Sequence, residues 1–307
     1  MSRMENTGFF EITEERVNFS GPGFWFCEIA VTGLCNFHCE YCNRLNSKLD
    51  FDKVCGFIDS HKGTLRHVHL TGGEPTLYPR LQELCYFIKS RGIKLGISTN
   101  GSAEYLFYES LKADMFSISL DDYSEASLIK RGYGDVSIVK DNIYKLSKNY
   151  YVNVGIVVDR KNCERVEKII SYVLNLGVKD IKLSINTKDL VMPTFGNTDY
   201  SAYPILNYRV NRFRHGKTMT GIQDSESFKC ALVLNDISIV DNKHYPCLVY
   251  AREGGIPIGT IDSDVEETRK VWYDRHQPNF DPICKKYCMD FKCEFNRCRQ
   301  KLLNNKS

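Results

Sequence analysis

Phe24-Trp-Phe-Cys-Glu-Ile-Ala-Val-Thr32 runs straight into Gly33-Leu-Cys35-Asn-Phe-His-Cys39-Glu-Tyr-Cys42. The first stretch is rich in aromatic and β-branched residues and predicts a strand. The second places three thiols within eight residues. Three thiolates on one loop can converge on one inorganic centre. A structural zinc site takes four ligands, and so does the usual iron–sulfur cubane. Three thiolates on a cubane leave one iron open for a further ligand. The same spacing also fits a zinc site completed by His38 or by a distant residue.

Working outward, strand-like and helix-like segments alternate. Strands are predicted at 24–32, 67–71, 93–98, 115–120, 152–158 and 181–185. Helices are predicted at 49–61, 81–91, 103–112, 138–149 and 166–176. Strict alternation predicts an α/β fold with a parallel sheet and helices outside it. Six such units, closing part-way, give a partial (β/α)6 barrel over 23–190, preceded by an N-terminal segment at 1–22. In barrels of this kind the chemistry sits on the loops at the C-terminal strand ends. The pattern stops near 190. Residues 191–228 hold Pro193, Gly196, Pro204, Gly216 and Gly221 without a clear period, and read as a linker or lid. In the remainder, 229–307, a hairpin is predicted around Asp241-Asn242 and a helix at 264–276.

The spacing CxxxCxxC, with Tyr41 before the last cysteine, resembles the radical S-adenosylmethionine superfamily. Thr71-Gly72-Gly73-Glu74-Pro75 follows the second strand and resembles that superfamily's GGE motif. The resemblance implies a 4Fe–4S cluster on Cys35, Cys39 and Cys42 whose open iron chelates S-adenosylmethionine. It also implies that Gly72, Gly73 and Glu74 lie at the cofactor's amino group. The third strand ends in Ser98-Thr99-Asn100-Gly101, and Asn100 joins the expected cofactor residues. Ser117, Ser119 and Asp121 share one face of the fourth strand, and the resemblance places the ribose contacts at Ser119 and Asp121. Arg131-Gly132, ahead of Asn142-Ile143, resembles a segment of the peptide-modifying branch. Arg131 would pair with the methionine carboxylate through its guanidinium fork, or lie solvated at a helix end.

The tail carries Cys230, Cys247, Cys284, Cys288, Cys293 and Cys298. Its turn and Pro246-Cys247 resemble the SPASM and twitch extensions of the superfamily. Asn242 stands in the place of the usual glycine, and the final cysteine spacing departs from SPASM. Six thiolates suffice for one four-cysteine auxiliary cluster but not for two. Cys230, Cys247, Cys284 and Cys288 are the expected ligands with Cys293 in reserve, and a zinc knuckle is the other reading. Cys293 and Cys298 would act as hydrogen-atom donors if either faced the barrel mouth.

Composition sets the remaining bounds. The 307 residues contain 13 cysteines, an odd number in a chain with no secretory signal. That predicts a cytoplasmic protein using thiols for metal or redox chemistry. Cys27, Cys55, Cys85 and Cys163 sit in apolar segments and read as buried small hydrophobes. No apolar run is long enough for a membrane span. A net charge of +3 is too weak to imply nucleic acid. The basic run Arg209, Arg212, Arg214, His215 and Lys217 reads as a solvated face. The expected activity is hydrogen abstraction from a peptide or small molecule, with a reductant protein such as flavodoxin or ferredoxin as partner. The alternatives are action on a nucleotide or nucleic-acid base, and a non-catalytic iron–sulfur or zinc protein.

Overall fold

The computed structural model describes residues 12–217, 220–223 and 228–304. Parts of the expected N-terminal segment, linker and tail fall outside the described residues. Nine strands form one sheet: β1 Phe26–Thr32, β2 His67–Gly72, β3 Lys94–Thr99, β4 Met115–Ser119, β5 Tyr151–Val158, β6 Asp180–Ile185, β7 Asp236–Val240, β8 Lys243–Tyr245 and β9 Gly259–Thr260. Their order is β6-β5-β4-β3-β2-β1-β7-β8-β9. β1 to β7 pair in parallel, and β8 and β9 are antiparallel. The sheet is open, with β6 and β9 at its edges.

Period-2 alternation gives the strands two faces. On β1, Cys27, Ile29 and Val31 join the main core, together with Val54, Ile58, Leu84 and Ile88 from the covering helices. Helices Phe51–His61 and Val136–Ser147 begin where Asp50 and Asp135 accept the first free N–H groups. The opposite face turns inward and is polar: Glu28, His69, Ser98, Ser117 and Lys182 lie there by register. His69 Nε2 and Ser98 Oγ are 2.7 Å apart.

The structure departs from the sequence reading in three places. The hairpin forms, with Asp241 and Asn242 at φ 51° and 59°, as a tight turn with both central residues left-handed. Its first strand, however, also pairs in parallel with β1, so the sheet runs across the expected boundary at 228. Within the expected linker, Pro204–Arg214 is a helix. Asp180 on β6 accepts the N–H groups of Ile205 (2.8 Å) and Leu206 (3.0 Å), and Pro204 suits the first turn. Third, Arg209 is not solvated. It is 3% exposed and bonds Asp290, which Arg212 also meets. Asp290 opens the long helix Asp290–Asn304, so this pair ties the tail to the barrel side. Of the four lone cysteines, Cys27, Cys55 and Cys85 are buried, whereas Cys163 is half-buried.

Removing one partner of a buried ion pair strands the other charge, which typically costs about 3–5 kcal/mol. Arg209→Met is therefore expected to destabilise the chain by roughly that amount in chemical denaturation. Adding Asp290→Leu should restore part of the loss.

Candidate functional site

The three-cysteine loop, 33–44, leaves the C-terminal end of β1 and has little regular structure of its own. The loops that follow β2, β3, β4 and β5 hold it in place. At its root, Gly73 N–H donates to Thr32 O (2.8 Å) and Glu74 N–H to Leu34 O (2.7 Å). A Cβ on Gly73 would lie 2.1 Å from Leu34 O, and one on Gly72, at φ +146°, would lie 2.4 Å from Thr32 O. The two glycines expected at the cofactor thus admit the chain's own backbone.

Glu74 is likewise placed by contacts within the chain. Its carboxylate is fully buried, and it accepts the Thr76 N–H (3.1 Å), the Thr76 hydroxyl (2.9 Å), the Thr99 hydroxyl (2.7 Å) and the Asn100 N–H (2.6 Å). Burial holds its carboxyl above the usual range, against the pull of those bonds. These bonds tie β2 to β3. The Asn100 side chain donates to Asn36 Oδ1 at 2.7 Å, which brings it to the cysteine loop.

Asp121 and Arg131 form the deepest support. Asp121 is 1% exposed. Its Oδ2 accepts the Tyr41 hydroxyl (2.5 Å) and meets Arg131 (3.4 Å), and its Oδ1 accepts the Val157 N–H (2.7 Å). Arg131 also donates to Asp159 (2.7 Å) and to Val157 O (3.1 Å), and its guanidinium lies 5.4 Å from the Tyr41 ring centre. Asp121 and Arg131, expected at the ribose and at the methionine carboxylate, thus also support Tyr41, and the buried Nε of Arg131 has no hydrogen-bond partner among the described residues. Arg131 is not a solvated helix end either, being 2% exposed. Next to it, His38 N–H donates to Gly132 O (2.8 Å), and Phe37 packs on Tyr133 with ring centres 5.1 Å apart. Ser119 stands exposed at the end of β4. It is registered with Gly155, where a Cβ would meet nothing within 4 Å.

The sequence reading missed Asn36, Tyr133, Asp159 and the inward Lys182. Asp159 follows directly on β5, and that position at a strand end was the available signal.

Cys35 and Cys39 are half-buried and Cys42 is exposed. Burial pushes the Cys39 thiol up to about 12, so thiolate there needs a metal's charge beside it. The Phe37 N–H reaches Cys35 Sγ at 3.4 Å. Three thiols on one loop, with no fourth supplied by it, suit a cubane with one open iron better than a structural zinc site, which takes four closed ligands.

In the tail, Cys230, Cys247, Cys284 and Cys288 line one cavity with Trp272 and Lys292. Burial pushes the Cys230 thiol up to about 11. Cys293 is buried beside Ile222 and Phe228, with its sulfur 3.5 Å from that of Cys288. Cys298 packs with Val17, Leu232 and Phe295. Both thus pack against apolar side chains of the tail.

The radical SAM superfamily model matches residues 29–173. An S-adenosylmethionine-dependent nucleotide dehydratase from Thermoplasmatales archaeon (strain ISO4-H5) is 31% identical over 118 residues, covering 36% of this chain and 43% of that protein. The tungsten-containing aldehyde ferredoxin oxidoreductase cofactor-modifying protein of Pyrococcus furiosus is 29% identical over 180 residues, covering 51% and 50%. The chain thus spans about half the length of these relatives. Among solved structures, Streptococcus suis SuiB superposes with a TM-score of 0.61 at 16% identity, covering 82% of this chain and 66% of SuiB, and shares the fold. Residues 29–173 are a radical SAM domain, a family that binds S-adenosylmethionine and a 4Fe–4S cluster. Among the described residues no helix is long and apolar enough to cross a membrane.

Gly132 offers a direct test of the loop's support. Its φ is +91°, and a Cβ there would lie 2.2 Å from His38 O. Gly132→Ala should lower the iron bound at the three-cysteine loop several-fold while the helical circular-dichroism signal is kept. Iron content equal to wild type would contradict this account of how the loop is held.

Proposed function

We propose that this chain reductively cleaves S-adenosylmethionine and removes a hydrogen atom from a peptide or small-molecule substrate. The observation that carries the reading is the three-thiol loop, fixed by contacts from the loops after four successive strands. When bound, the cluster and S-adenosylmethionine supply the electron transfer and the 5′-deoxyadenosyl radical. The chain's residues do the rest. Phe37 and Tyr133 pack beneath the loop and exclude water. The Asp121–Arg131 pair fixes Tyr41. The polar inner face gives a substrate hydrogen-bonding partners. The electron is expected from a flavodoxin or ferredoxin.

The tail reads as a twitch-like module holding one auxiliary cluster on Cys230, Cys247, Cys284 and Cys288. Support comes from the shared cavity and from the arrangement around it. Cys247 accepts the Tyr250 N–H at the start of helix Leu248–Arg252, and Cys284 follows Asp281, which accepts its N–H. Two cubes require about eight irons per chain, whereas one cube and a zinc tail require about four.

A second reading, a nucleotide substrate, is favoured by the name of the archaeal dehydratase relative and by Lys182. This inward lysine is depressed to about 8 by burial, with Arg209, Arg252 and Lys292 among its electrostatic neighbours and Glu28 as the opposing carboxylate.

Anaerobic incubation with dithionite and S-adenosylmethionine, followed by mass spectrometry, tests the activity. 5′-Deoxyadenosine should form and should disappear when Cys35, Cys39 and Cys42 are all replaced by alanine. Equal product from that variant would refute the assignment, and a carrier protein would make none in either form. Stoichiometric zinc with only four irons in the isolated chain would refute the auxiliary cluster.

A further inference from the structure

His276 was not among the residues singled out in the sequence, yet it lies against the tail cavity in a fixed pose. Its ring stacks on Trp272 with centres 3.9 Å apart and planes 19° from parallel, and it meets Tyr250 edge-on at 6.3 Å. That stacking aims Nε2 at Cys284 Sγ, 3.6 Å away. On the other side, Asp281 Oδ2 is 3.9 Å from Nε2 and accepts the Tyr250 hydroxyl at 3.0 Å. The other oxygen of Asp281 accepts the N–H groups of Ile283 (2.9 Å) and Cys284 (2.8 Å). One aromatic–carboxylate unit thus holds both the backbone and the sulfur of Cys284.

His276, Asp281 and Cys284 are also the group whose ligand atoms converge within 4.8 Å among the described residues, which raises a mononuclear metal as an alternative. The position of Cys284 argues against it. The same thiol lines the cavity with Cys230, Cys247 and Cys288, so a separate ion would compete with that four-thiol site for it. A nitrogen 3.6 Å from the sulfur is also too close to be the ligand of a neighbouring iron in a cubane. It stands at the distance of an N–H donor to a ligating sulfur. Donors of this kind draw electron density from the sulfur, favour the reduced cluster and raise its potential.

We infer that His276 is a positioning residue that donates a hydrogen bond to the Cys284 sulfur and sets the reduction potential of the auxiliary cluster. This rests on the auxiliary-cluster reading given above. It goes beyond that reading by assigning a residue that ligates nothing but decides how readily the cluster accepts an electron.

The test is a potentiometric titration of the reconstituted full-length chain followed by EPR, with iron and zinc measured on the same samples. His276→Phe keeps a ring to stack on Trp272 and removes the N–H. It should retain the wild-type iron content and shift the auxiliary couple toward reduction-resistance by about tenfold, which is about 59 mV for one electron. The barrel cluster's potential should not move. His276→Gln, which keeps an N–H donor, should recover part of the shift. An unchanged auxiliary potential in His276→Phe at full iron content would overturn the inference and leave the cluster reading standing. Loss of stoichiometric zinc in His276→Phe, from a wild type holding four irons, would overturn both and assign the mononuclear site.

Discussion

One buried carboxylate governs the C-terminal face of this barrel. Asp121, 1% exposed, receives Tyr41 from the cysteine loop, Arg131 from the segment after β4 and the Val157 N–H of β5. A charge removed from water is tolerable only when it is paired and hydrogen-bonded. Each of the three elements therefore needs the other two. Arg131 carries the network on to Asp159, and Gly132 lets the chain turn directly against His38. An irregular loop of three thiols cannot hold its own shape, and this knot sets it.

Part of this was legible in the residues. The alternation of strands and helices gave the parallel sheet because packing patterns are local and periodic. The three-thiol loop was visible as a spacing. The partners of Asp121, Arg131 and Glu74 were not, because an ion pair between residues on separate elements leaves no mark in either segment. Each residue type suited a ligand as well as it suited its neighbour. The helix Pro204–Arg214 escaped because its buried stripe includes Arg209, a charge that looks solvent-facing until Asp290 is seen opposite it. The parallel pairing of β7 with β1 escaped for the opposite reason. A hairpin turn at Asp241-Asn242 predicts only the antiparallel partner, and the second edge of the strand is set by tertiary contacts.

That pairing joins the two thiol sites. β7 lies beside β1, and helix Leu248–Arg252 spans the ground between them. Cys247 caps its first turn. Leu248 packs with Ala30 and Leu45, and Glu253, just beyond it, accepts the side chain of Asn43, the residue after Cys42. The helix thus contacts both the tail cavity and the three-cysteine loop.

Cys35, Cys39 and Cys42 are proposed to hold a cluster with one position left for S-adenosylmethionine. EPR of the dithionite-reduced chain, with Cys284 and Cys288 replaced by alanine to silence the tail, observes that position directly. Addition of S-adenosylmethionine should change the g-values of the reduced-cluster signal, because a new ligand enters the iron's coordination sphere. A signal identical with and without S-adenosylmethionine, at full occupancy of the loop, would contradict the account.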